Sequence, residues 1–402
     1  MKYVVFLGDG MADTPNEELG GKTPLECAKK PNIDALCKKG VLGLAKTVDD
    51  KLSPGSDVAN LSVLGYDPFL YYTGRSPLEA LSIGAPLKDG DVTFRANLVT
   101  LSDDENYADK TMVDYSSDEI STEESTKLIE FLKEKLIYEN IALYSGISYR
   151  HLMIWSGGST EIKLTPPHDI SKREVRDYLP NGAGDSVILE IMKRSYELLK
   201  DHPVNLDRIK RGLNPANSLW IWGEGTKPSL DNFYEKFGVK GSMISAVDLL
   251  KGIGKGTGMN VIEVPGATGN VHTNFSGKAD AAINEFKNGS EFVYIHVEAA
   301  DECGHRHETE NKVRSIELID EKIVGPVTEY LKSTGEPFAV LITPDHPTPL
   351  DLMTHTREPV PFVIYKSNDE KENDFTYTEK NAAKAGIYVE KGCTLINLLL
   401  SK

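Results

Sequence analysis

The 402-residue sequence predicts an α/β fold, a doubly wound and mostly parallel sheet with a smaller α+β domain inserted into it. Three observations carry that expectation. Apolar, partly β-branched runs at Tyr3–Leu7, Phe292–Val297 and Phe338–Thr343 have strand length and no polar alternation, as strands buried on both faces require. Helical stretches such as Ser186–Lys200 and Lys312–Lys332 separate them. Between Arg95 and His168 the texture changes to a polar loop, a helix at Thr122–Glu134 and short strands at Ile141–Leu143, His151–Trp155 and Glu161–Leu164.

From the N-terminus, Tyr3–Leu7 is a strand too short for a membrane span or a signal core. Thr23–Lys39 reads as helical, with Pro31 interrupting it or marking a turn between two shorter helices. Ser53-Pro54-Gly55-Ser56 leads into a helix over Asp57–Leu64. The strand-rich segment places the inserted domain at 96–168, closed by Thr165-Pro166-Pro167 as a stiff return linker, and leaves 1–95 and 169–402 as the core. Leu219–Trp222 is a short strand and Ser245–Leu250 is helical. The glycine-rich Gly252–Gly258 reads as a flexible loop and not a phosphate loop, because Lys255 is followed by Gly and no strand immediately precedes it.

With 40% hydrophobic and 26% charged residues the composition is that of a globular enzyme. A net charge of -16 argues against general binding to nucleic acid or anionic membranes, both of which need a cationic face. Cys27, Cys37, Cys303 and Cys393 lack metal-ribbon spacing and read as free thiols in a reducing compartment. No segment reaches membrane-spanning length, so a cytoplasmic protein is expected.

The chemistry gathers just past strand ends, where open α/β sheets bind ligands. Asp9 follows the first strand between two glycines, a pattern that ordinary turns also show. Asp301 and His305 follow the second strand four residues apart, a spacing that puts both on one face of a helical turn. Asp345 and His346 follow the third strand in a loop stiffened by prolines, with His355 nine residues on. Three carboxylates and three imidazoles are too many for one catalytic ion; they suit two, about 3.5–4 Å apart, as in phosphoryl transfer. Mixed oxygen and nitrogen donors favour Mn or Zn over Mg alone.

A nucleophile is expected at a helix N-terminus. Ser56 takes that place, as metal-coordinated nucleophile or as an N-cap, with Ser62 as second choice. Cationic residues on the inserted domain and its hinges, Arg75, Arg95, Arg150, His151 and Lys278, are candidates to hold a small anionic substrate.

The segments Gly8-Asp9-Gly10-Met11, Pro54-Gly55-Ser56-Asp57 with Leu64-Gly65-Tyr66-Asp67-Pro68, Phe94-Arg95-Ala96-Asn97, Tyr149-Arg150-His151, His296-Val297-Glu298-Ala299 through His305, and Thr343-Pro344-Asp345-His346 occur in that order. Together they resemble the archaeal-type cofactor-independent phosphoglycerate mutases of the alkaline phosphatase superfamily. The resemblance implies interconversion of 3- and 2-phosphoglycerate through a phosphoserine. It also implies one ion among Asp9, Ser56, Asp345 and His346, a second among Asp301, His305 and His355, and an inserted domain that acts as a lid. Asn60 stands where a His is frequent in the longer mutases, a departure expected to bear on substrate contacts more than on metal binding. Homoserine kinase-like phosphotransfer and hydrolysis of phosphate or sulfate esters are the alternatives, since this kind of fold and site serves many reactions.

Overall fold

A computed structural model describes residues 1–401. The chain divides into two compact units, Met1–Tyr72 with Ser229–Lys402, and Thr73–Pro228.

The first unit is built on an eight-stranded sheet in the order Asn260–Ile262, Gly241–Ile244, Phe292–Val297, Lys2–Gly8, Phe338–Thr343, Val360–Lys366, Val41–Ala45 and Tyr388–Val389. Val360–Lys366 runs antiparallel to both its neighbours and every other pairing is parallel. The three apolar runs read from the sequence are its central strands. Because side chains alternate across a strand, Val4, Phe6, Val293, Ile295, Val340 and Ile342 share one face. There they pack with the helices Pro31–Cys37, Phe275–Lys287 and Gly325–Ser333. Tyr294 and His296 belong to the opposite face.

The remaining elements of this unit refine the expectation. Pro31 starts its own helix, so Thr23–Lys39 is two short helices, Pro24–Cys27 and Pro31–Cys37. Gly252–Gly256, anticipated as loop, lies in the helix Asp248–Gly256, which follows the strand Gly241–Ile244. Packing explains the glycine there: a Cβ at Gly254 would sit 2.8 Å from Val261 and 3.1 Å from Met243. Ser245–Val247, expected to open a helix over Ser245–Leu250, is irregular backbone, and the helix begins at Asp248.

The second unit carries an antiparallel sheet with Asp91–Leu101 at its centre, paired to Met112–Asp114, Arg150–Ser156 and Ser218–Thr226, and with Ile141–Tyr144 outside Arg150–Ser156. The helices Thr122–Lys135 and Asp185–Leu199 contribute to its core. This corrects the boundaries 96–168. Position 95 falls inside the longest strand of the sheet, and the partner Ser218–Thr226 lies beyond 168, so both cuts divide the sheet. Thr165-Pro166-Pro167 is internal to the unit; the linkers are at Tyr72–Thr73 and Pro228–Ser229.

Among the described residues no helix is long and apolar enough to cross a membrane, and all four cysteines are free, with Cys37 and Cys303 buried.

One buried carboxyl gives a stability prediction. Glu379 accepts hydrogen bonds from the Asp13 backbone N–H (3.1 Å) and the Thr23 hydroxyl (2.7 Å), tying the Glu379–Ala385 helix to the loop after the first strand. Burial pushes its pKa from 4.5 up to about 7. The native state therefore holds a proton that the unfolded chain has released, and stability falls as pH rises through this window. Glu379→Gln should match the parent at pH 5 and exceed it by roughly 1–3 kcal/mol at pH 8, read by urea unfolding.

Candidate active site

The three central strands are neighbours in the sheet, and that adjacency brings residues far apart in sequence to one place. Asp9 lies just past Lys2–Gly8, Asp345 and His346 just past Phe338–Thr343, and Asp301 in the helix Ala299–His305 after Phe292–Val297. Gly10 allows the close approach: its φ is 62°, and a Cβ there would fall 2.7 Å from the Asp301 Cα.

Asp9 Oδ2 accepts from His296 Nε2 at 2.9 Å, while Asp9 Oδ1 is buried without a hydrogen-bond partner. Burial, and then the nearby carboxylates of Asp345, Asp301 and Glu298, push the Asp9 pKa well up. Asp345 Oδ1 accepts from the backbone N–H of Gly10 (3.2 Å) and His346 (2.9 Å), and its Oδ2 accepts from Asn60 Nδ2 at 2.8 Å.

The histidine tautomers follow from partners that can only accept. His305 Nδ1 lies 3.0 Å from the Met353 carbonyl and His355 Nδ1 3.4 Å from the Pro54 carbonyl, so each Nδ1 carries the proton. Both Nε2 lone pairs then face each other at 2.8 Å, each 3.4 Å from an Asp301 oxygen. Thr348 Oγ1 donates to Asp301 Oδ1 at 2.5 Å and so accepts from His346 Nδ1 at 3.3 Å. That leaves the His346 Nε2 lone pair 3.2 Å from Ser56 Oγ, 3.4 Å from Asp345 Oδ2 and 3.6 Å from Asp9 Oδ1.

Converging lone pairs, an orphaned carboxylate oxygen and crowded buried carboxylates form a donor set of the kind that holds a divalent cation. Three overlapping triads fit one: Asp9, Asp345 and His346; Asp301, His346 and His355; and Asp9, Glu298 and Asp301, each set within 4.8 Å. The triads take in five of the seven residues anticipated as ligands, Asp9, Asp301, Asp345, His346 and His355, while Ser56 lies against His346 and His305 against His355. Ser56 is not an N-cap: Gly55 caps the helix Ser56–Val63, and the Ser56 hydroxyl turns to His346. Ser62 lies six residues further along, its hydroxyl against Gly392.

The anticipated anion-binding residues separate. Within the second unit Arg75 and Arg95 share Glu79, their Nε atoms 3.4 and 3.1 Å from its oxygens. Arg95 lies 4.4 Å from the Trp222 ring centre, and Trp222 Nε1 donates to Asn97 Oδ1 at 3.1 Å. Arg150 pairs across the strands with Asn97, two residues from Arg95, and so joins the same face. Burial lowers the Arg95 pKa, Glu79 opposes that, and Arg75 and Arg150 add to it, so three guanidiniums share one field.

His151 is next to Arg150 on a strand and points to the other face. It is buried there, its Nδ1 accepting from the Gly146 backbone N–H at 3.0 Å, and burial takes its pKa down to about 3. Lys278 belongs to the first unit, fully buried, and donates to the His296 carbonyl at 2.8 Å. Within the second unit His151 therefore faces away from the arginines, while the Lys278 ammonium is committed to the His296 carbonyl of its own unit.

A family model described as 2,3-bisphosphoglycerate-independent phosphoglycerate mutase matches residues 37–205. The enzyme of that name from Methanosarcina barkeri is 47% identical, over 100% of this chain and 99% of its own, and that from Methanothrix thermoacetophila is 46% identical over 100% of both. The chain belongs to the 2,3-bisphosphoglycerate-independent phosphoglycerate mutases. Among solved structures, the cofactor-independent phosphoglycerate mutase of Thermoplasma acidophilum is 25% identical with a TM-score of 0.66, covering 100% of this chain and 99% of that one. A Pyrococcus horikoshii protein is 30% identical with a TM-score of 0.82, covering 100% and 98%.

In this mutase several residues around the site went unassigned in the sequence. His296 links Asp9 to Ser245, whose hydroxyl lies 3.1 Å from His296 Nδ1, and burial, then Lys278, takes its pKa down to about 3. Its signal was a histidine inside an otherwise apolar strand. Asn60, expected to bear on substrate contacts, is fully buried and bonds Asp345, so the departure at this position also touches the carboxylate centre. Glu298, Thr348, Tyr294 and, in the second unit, His168 beside Trp222 had no spacing to mark them.

Proposed function

We propose that the chain interconverts 3-phosphoglycerate and 2-phosphoglycerate, with Ser56 accepting the phosphoryl group and returning it to the other hydroxyl. The observation that carries this reading is Ser56 Oγ standing 3.2 Å from His346 Nε2, beside Asp9 and Asp345, in a chain of this family. Asp9, Ser56, Asp345 and His346 would hold one divalent cation, and Asp301, His305 and His355 a second, Mn or Zn by donor type. Bound there, the cations lower the pKa of the serine hydroxyl and offset charge on the phosphoryl oxygens.

Ser56 Oγ forms a bond to phosphorus as the bond from phosphorus to the glycerate oxygen breaks, and the proton given up by the Ser56 hydroxyl ends on that glycerate oxygen. The glycerate turns, its other hydroxyl attacks the phosphorus of phosphoserine as the bond from Ser56 Oγ to phosphorus breaks, and the proton lost by that hydroxyl returns to Ser56 Oγ. Water at the phosphoserine stage would release phosphate instead. An acidic chain needs local positive charge to bind a phosphorylated anion, and within the second unit Arg75, Arg95 and Arg150 gather such charge. Arg95→Ala should raise the KM for 3-phosphoglycerate about 10–100-fold, read from initial rates.

The deciding assay supplies Mn²⁺ to the metal-stripped protein and offers 3-phosphoglycerate, or homoserine with ATP. Formation of 2-phosphoglycerate, lost in Ser56→Ala, supports the proposal. Homoserine-dependent ATP consumption without mutase turnover, or phosphate release alone, overturns it.

A further inference from the structure

Asp345 carries about four lone-pair positions, and three are filled by the protein: two on Oδ1 by the Gly10 and His346 backbone N–H groups, one on Oδ2 by Asn60. A single direction on Oδ2 remains. Asn60 is one helical turn beyond Ser56, and the other hydrogen of the same amide goes to the Ser56 carbonyl at 2.8 Å. One amide nitrogen thus ties the strand-end carboxylate to the first turn of the serine helix.

The amide has only one workable orientation. Both the Ser56 carbonyl and Asp345 Oδ2 accept hydrogens, so the NH₂ group must face them and Oδ1 must face Tyr294. The Tyr294 hydroxyl, 2.7 Å from Asn60 Oδ1, is therefore a donor. Both residues are fully buried. Tyr294→Phe would leave that amide oxygen without its partner and remove what holds the NH₂ group toward Asp345.

We infer that Asn60 and Tyr294 are positioning residues that set the Asp345 carboxylate and Ser56 in register as ligands of the same cation. This rests on the two-cation reading above. Supporting hydrogen bonds of this kind change metal affinity by about 10–100-fold. Among the proposed ligands the two side chains hydrogen-bond only Asp345 and Ser56, so their effect should fall mainly on one of the two cations; Asp301, His305 and His355 are held by Thr348, Met353 and Pro54.

The test is equilibrium titration of metal-free protein with Mn²⁺, counting free ion by its electron paramagnetic resonance, together with melting of the metal-free protein. The parent should bind two ions. Tyr294→Phe should weaken one by about 10–100-fold and leave the other within about threefold. Asn60→Asp, of nearly the same size but with acceptors in place of donors, should weaken the same ion further. A general structural fault would lower melting and weaken both ions together, and that result overturns the inference, as does unchanged binding in either variant. A parent that binds fewer than two ions overturns the two-cation reading and the inference with it; two ions in the parent and unchanged variants overturn only the inference.

Discussion

Ser56→Ala should abolish mutase turnover, on the order of 10⁴-fold or more in kcat, because no other hydroxyl stands in its place. Ser62, on the same helix, lies against Gly392 and cannot substitute without unwinding the turn between them. The Ser56 hydroxyl caps nothing and bonds only toward His346, so the melting temperature of the variant should stay close to the parent's. Mass spectrometry of acid-quenched protein adds a second check: a phosphorylated species in the parent, absent from the variant. A variant that keeps its turnover would remove serine from the chemistry.

The other large effect has opposite signs for stability and activity. In Asp9→Asn the amide can still accept from His296, and a buried carboxylate crowded by Asp345, Asp301 and Glu298 is gone. Activity should fall at least about 10³-fold through loss of a cation ligand. Metal-free protein should nevertheless melt higher than the metal-free parent at neutral pH. The sign follows from the raised Asp9 pKa: the native state binds the proton more tightly than the unfolded chain does. Stability of the metal-free parent therefore declines as pH climbs from about 3.8 toward the folded-state value. Asp9→Asn should flatten that decline. Calorimetry from pH 4 to 8, with and without Mn²⁺, reads both effects, and equal melting of the two metal-free proteins would contradict the account.

The centre was legible in the sequence because its scaffold was. Uninterrupted apolar runs mark buried parallel strands, and Asp9, Asp301 and Asp345 stand just beyond three of them, where such sheets place their chemistry. What sequence spacing hides is contact across the sheet. Nothing local shows that Asn60 meets Asp345, 285 residues away, or that His296 meets Asp9, 287 residues away.

The domain boundary failed for a different reason. Asp91–Leu101 alternates Val92, Phe94, Ala96 and Leu98 with Thr93, Arg95 and Asn97, the pattern of a strand with one polar face, yet its arginine and asparagine made it look like loop. The same alternation separates Arg150 from His151, which their shared cationic character had grouped together. Gly252–Gly256 shows the converse error: glycine there serves close packing against Val261 and Met243, so a composition that suggests a loop sits in a helix.

The order of synthesis gives the central strand an unusual history. Lys2–Gly8 is made first, but both strands that flank it in the sheet come after residue 290. At ribosomal speeds of about 5–20 residues per second, Asp9 waits on the order of 20–60 s for Asp345 to be polymerised. Thr73–Pro228 meanwhile has all its pairing partners and can fold while the apolar N-terminal segment is still unmatched. A nascent chain halted before the final third would thus carry a finished antiparallel unit beside an exposed hydrophobic strand, the kind of surface on which chaperones act.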